Sequence, residues 1–162
     1  MLKHALSVVK KARLKTDPFP HIFVKNLLPK KDLSRLNKIL PAFKEVGGND
    51  VLYQSSSKTK KTLLPSSTIY KKLSREKTFK NVDKLFKKLK PAIIKKFKPH
   101  IKAYVKKKFH NSKLNYHSSF SLMKKGYIKS SHLDRRDHLL HILFYPYSDG
   151  NSGGNLQLDK LK

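Results

Sequence analysis

The sequence predicts an α+β fold, with helices in the N-terminal two thirds and an antiparallel sheet at the C-terminal end. Two observations predict it. Apolar residues recur at helical spacing as far as Val105, and after residue 113 the pattern changes to short runs of β-branched and aromatic residues set between turn residues. A length of 162 residues suits one domain with a real core.

Taken in order, residues 1–16 (MLKHALSVVKKARLKT) carry Leu2, Leu6 and Val9 on one helical face and no acid, which reads as a basic surface helix or extension. Residues 21–25 follow two prolines and read as a short strand. Leu33, Leu36, Ile39 and Leu40 then form a helical face that Pro41 closes. Between residues 47 and 67 the chain is rich in Gly, Ser, Thr and Lys and reads as a loop, with VLYQ a short strand at best. The basic block at 78–108 places Val82, Leu85, Phe86 and Leu89 in a stripe, resumed by Ile93, Ile94 and Phe97 after Pro91. Its apolar face is expected to pack on a sheet, with lysines opposite. From Leu114, LNYHSSFSLMKKGYIKSSHLD alternates and turns, HLLHILFYPY reads as a strand, SDGNSGG as a loop and NLQL as a last short strand.

Composition narrows the function classes. There are no cysteines, which excludes disulfides and thiol catalysis and leaves His, Asp and Glu as metal ligands. Nine Phe and seven Tyr, without Trp, are expected to carry much of the burial. The net charge is +28, and of 38 basic residues 33 are lysine and five arginine. So few arginines disfavour base-specific readout and leave non-specific polyanion binding or a solvated lysine surface. No apolar run is long enough to span a membrane and no export signal is recognisable, so the simplest expectation is a cytoplasmic protein.

The stretch with the most chemistry is HLDRRDHLLHILFYPY, residues 132–147. On a strand, residues two apart face the same side, so His132 and Asp134 aim an imidazole and a carboxylate at one point. That is two thirds of a facial triad for iron(II). With eight His and eight Asp in the chain, chance alone supplies about 0.4 such matches, so the surroundings must decide. Gly126 lies six residues earlier, an apolar run ending in tyrosine follows, and Gly-Gly precedes a final short strand.

The segments GYIKSSHLD, HLLHILFYPY and GGNLQL, in this order, resemble the iron(II)- and 2-oxoglutarate-dependent oxygenases, particularly their prolyl-4-hydroxylase-like branch. PFPHIFVKNLLPKKDLSRLNKIL looks like the strand-helix opening of such domains. The resemblance implies N-terminal helices packed on a double-stranded β-helix (a jelly roll). Residues 1–16 would precede the domain, 17–113 would be its helical and linker part, and 114–162 the first barrel strands. It implies iron(II) held by His132 and Asp134, 2-oxoglutarate as cosubstrate touched by Leu143, Tyr145 and Leu156, and ascorbate as an auxiliary reductant. The reaction implied is oxidation, normally hydroxylation, of a substrate with O2, giving succinate and carbon dioxide. The substrate itself is unidentified; the charge favours an acidic one, nucleic acid included.

Two departures stand out. A cosubstrate-binding tyrosine often stands about nine residues before the first ligand, and Met123 occupies that place. The family's third ligand, a histidine, and its 2-oxoglutarate-gripping basic residue come well after Gly-Gly, whereas no histidine follows His141 here. The expectation is therefore a barrel incomplete at its C-terminus, either as a fragment of a longer protein or as a chain inactive as it stands; a third reading recruits His141, or less directly His138, as the substitute ligand. Two alternatives remain: a basic nucleic-acid or polyanion-binding protein without catalysis, and a ligand-binding jelly roll without iron.

Overall fold

A computed structural model describes residues 1–17, 19–53, 57–100, 115–124, 126–127 and 140–146. Within these it is a mixed α and β protein, with four α-helices and two small antiparallel two-stranded sheets. The chain divides into two compact units, Met1–Arg35 with Ser74–Ser118, and Leu36–Leu73 with Ser119–Lys162.

The first unit is built on two helices. Helix α1, Leu2–Lys11, buries Ala5 and Val9. Helix α4, Lys77–Phe97, buries Val82, Leu85, Phe86, Leu89, Ile93 and Phe97, and α1 packs along it. The expected stripe is therefore present, but in this unit it packs on a helix, not on a sheet. A stripe of period 3.6 specifies an apolar partner face and does not say which kind of element supplies it. The helix also runs unbroken through Pro91. Pro91 has no N–H to give the Lys87 carbonyl four residues back, and both residues are exposed, on the side of the helix away from its buried stripe. At the far end of α1, the Lys96 ammonium donates to the Lys10 carbonyl at 2.9 Å, one of the last-turn carbonyls left without an intrahelical partner.

Residues 12–29 lead from α1 to the next helix, α2, Lys30–Ile39. Strands β1, Leu14–Lys15, and β2, His21–Ile22, pair antiparallel with Leu14 opposite Ile22. The strand expected over 21–25 stops at Ile22, and Phe23 is 73% exposed. Asn26 takes a left-handed conformation, φ 54°, which asparagine tolerates better than most residues, and its carbonyl meets His4 Nε2 at 2.8 Å. Helix α2, Lys30–Ile39, starts on Pro29, whose carbonyl accepts from Leu33 at 3.0 Å, and it stops before Leu40, whose successor Pro41 disfavours helix. Leu36 is its buried residue.

The second unit buries Leu36, Val46, Leu63 and Leu73 together with the hydroxyl residues Thr62 and Ser67. Strand β3, Lys60–Thr62, pairs antiparallel with β4, Ser121–Met123, Thr62 opposite Ser121. On the other edge of β3, Leu52 N donates to Thr62 O at 2.8 Å, Leu64 N donates to Asp50 O at 2.9 Å, and Val51 bridges Leu63. Helix α3, Thr68–Arg75, is capped by Ser67, whose hydroxyl accepts from Tyr70 N at 3.1 Å.

Two expectations are corrected, on the aromatic core and on the strand over HLLHILFYPY, and a third, the barrel, falls largely outside the described residues. Aliphatic residues form most of the core among the described residues; Phe86 and Phe97 are its buried aromatics, while Tyr53 is 90% exposed. The strand expected over HLLHILFYPY is not seen at residues 140–146, which have no helix or strand assignment. No jelly-roll barrel is seen among the described residues, where each sheet has two strands. A barrel requires successive strands to find partners on both edges, and the segments that would supply them, 128–139 and 147–162, lie outside the described residues.

Candidate functional site

The segment leading into the H-x-D motif is held by the β3–β4 ladder. Leu63 N donates to Phe120 O at 2.9 Å, which makes Leu63–Phe120 a hydrogen-bonded pair and leaves Thr62–Ser121, one residue along, a non-hydrogen-bonded one. Side chains approach closest at such pairs, and Thr62 Oγ1 and Ser121 Oγ are 2.8 Å apart. The ladder extends to Lys124, whose amide donates to Thr59 O at 3.0 Å. The chain then reverses. Tyr127 N donates to Lys124 O at 3.2 Å, and Gly126, third in this turn, has φ +86°. That is the position where a type II turn requires a positive φ, and glycine adopts it without strain. Five residues after Tyr127 the sequence reaches His132.

Around this ladder the charge is positive and interleaved with aromatic rings. Lys61 Nζ donates to Phe43 O at 2.9 Å and to Val46 O, and lies 4.4 Å from the centroid of the Phe43 ring. Lys124 Nζ lies 5.4 Å from the same ring, and Lys60 Nζ 5.8 Å from that of Tyr127. Each such contact is worth about 0.5–1 kcal/mol at an exposed site. Glu45, the acid of the short helical turn Phe43–Glu45, is engaged locally, accepting from Ala42 N at 2.7 Å. Sequence reasoning passed over this cluster, because a lysine that ties carbonyls 15 and 18 residues away looks like any other lysine in a sequence this rich in them.

The residues singled out from sequence are placed unevenly. His132, Asp134, His138 and Leu156 lie outside the described residues. Leu143 and Tyr145 are described and are 55% and 51% exposed; His141 is exposed as well. The segments expected to form a barrel around these three, 128–139 and 147–162, lie outside the described residues. Met123, at the place of the family's cosubstrate tyrosine, is on β4 and 48% exposed. No group of three or more His, Asp or Glu side chains able to hold a metal occurs among the described residues.

Comparison of the chain with protein-family models, curated proteins and solved structures finds no match. The functional reading therefore rests on the residues themselves. No described helix is long and apolar enough to cross a membrane.

Proposed function

We propose that the chain carries the iron-binding segment of an iron(II)- and 2-oxoglutarate-dependent oxygenase, with His132 and Asp134 as two metal ligands. The observation that carries this reading is the ordered set of Gly126, His132, Asp134, a β-prone run ending at Tyr145 and Tyr147, and Gly153-Gly154 followed by Leu156. The donor chemistry fits. An imidazole and a carboxylate without thiolates suit iron(II) and leave coordination positions for small molecules. The antiparallel β3–β4 ladder ending in the Gly126 turn supports the reading too, since antiparallel strands joined by turns are what a jelly roll is made of.

In this reading His132 contributes a neutral nitrogen and Asp134 a charge that offsets part of the metal's. Leu143 and Leu156 provide apolar contact for the carbon chain of 2-oxoglutarate, and the Tyr145 hydroxyl a hydrogen bond to one of its oxygens. Iron(II), when bound, supplies the activation of O2 that lets an unactivated C–H bond be oxidised, with ascorbate as the auxiliary reductant. His141 is the third imidazole that the sequence offers near this motif, although the family takes its third ligand from beyond Gly-Gly. For that reason the test reads metal binding and not turnover.

Iron(II) is titrated anaerobically into the wild-type chain and into His132→Ala and Asp134→Ala, with far-UV circular dichroism as the folding control. Each substitution should weaken binding by more than about tenfold, the loss already seen when only an outer partner of a ligand is removed. Equal iron binding by all three proteins sinks the proposal. A His141→Ala variant in the same series decides whether that imidazole belongs to the set.

A further inference from the structure

Helix α4 has a second face with no role in the packing described above. At 100° per residue, Lys77, Lys84, Lys88 and Lys95 fall within an arc of about 40°, roughly opposite the buried stripe. All four are exposed, and at 1.5 Å per residue the row they form is about 27 Å long. Exposed Lys80 stands beside the row. The helix contains one acid, Asp83, and it is already engaged: Lys87 pairs with it at 2.8 Å and the Ser118 hydroxyl donates to it at 3.3 Å. Lys80, Lys84 and Lys88 follow one another at i,i+4, where each like-charged pair costs an isolated helix about 0.2–0.5 kcal/mol. None of the five is in an ion pair among the described residues.

We propose that this outward face of α4 binds the phosphodiester backbone of nucleic acid, without base specificity. A row of ammonium groups along one continuous helix matches a linear polyanion, and release of the polyanion's condensed counterions drives such binding. Lysine acts toward phosphate as a point charge, and the row has no arginine fork or aromatic ring to read a base. An anionic membrane is the weaker fit. A helix that lies in a membrane interface immerses an apolar face, and the apolar face of α4 is buried inside its own unit.

The test uses the full-length chain with EDTA present, so its result does not depend on the iron site. Binding of a labelled mixed-sequence DNA duplex is followed by anisotropy over a series of salt concentrations. Contact with four phosphates predicts a slope of log affinity against log salt of about −3.6, or 0.9 per phosphate. The double variant Lys84→Gln with Lys88→Gln should make the slope shallower by about 1.8. A control with the same charge change, Lys25→Gln with Lys31→Gln at exposed positions off α4, should leave it unchanged. Equal loss in both variants would mean general charge attraction and would overturn the proposal. So would phosphatidylserine vesicles that bind the chain through Lys84 and Lys88 when DNA does not.

Discussion

At the scale of single residues, Lys61 shows how far a side chain's role can depart from its composition class. Its ammonium donates to two backbone carbonyls, Phe43 O and Val46 O, and lies over the Phe43 ring. In a sequence with 33 lysines it would be taken for surface charge. Lys61→Met keeps most of the apolar stem and removes the donor, leaving two part-buried carbonyls to find other partners. The expected loss is about 1–3 kcal/mol, the cost of leaving a buried polar group unsatisfied. It is read as a lower midpoint in urea, alongside Lys58→Met as a control of equal charge change at an exposed position. Equal midpoints for the two variants would remove the structural role assigned to Lys61. The candidate pair His132 and Asp134, by contrast, stands out in the sequence as a pattern. A metal site draws on few residue types at set spacing, whereas a lysine that braces a turn leaves no local pattern.

At the scale of elements, long periodic segments were legible and short ones were not. Helix α4 shows its stripe over 21 residues, and α1 and α2 show theirs over ten. Helix α3 has eight residues and one buried side chain, Leu73, too few turns for a period to stand out. Strand β3 reads KKT, a sequence of modest β propensity. What makes it a strand is pairing with β4, 59 residues away at Thr62–Ser121, and that information is not local. Pro91 was legible as a punctuation mark but not as a tolerated one. Within a continuous helix, Pro91→Ala restores a donor to the Lys87 carbonyl and should raise stability by about 1–3 kcal/mol, less a few tenths for the freer unfolded chain. Were Pro91 the hinge between two separate helices, the same substitution would lower stability. Thermal unfolding of the two proteins side by side separates these outcomes by the sign of the shift in midpoint.

At the scale of the whole molecule the governing quantity is a net charge of +28 on 162 residues. Ten acids cannot neutralise 38 bases, even where an acid is paired as Asp83 is with Lys87. Self-repulsion must therefore oppose compaction, and it acts through exposed charges that salt can screen. Raising the ionic strength from about 0.01 M to about 1 M shortens the screening length from about 30 Å to about 3 Å. The unfolding midpoint should rise over this range in sodium chloride, a salt chosen over sulfate because sulfate also strengthens apolar burial. The rise should be largest where like charges stand closest. Amide hydrogen exchange resolved by segment should thus slow more in α4, with Lys80, Lys84 and Lys88 at successive i,i+4 positions, than in α1, where Lys3, Lys10 and Lys11 are at neither i,i+3 nor i,i+4 from one another. A midpoint that stays flat or falls with salt would mean that the lysines are far enough apart for water alone to screen them. The row on α4 would then carry no stored repulsion for a polyanion to relieve.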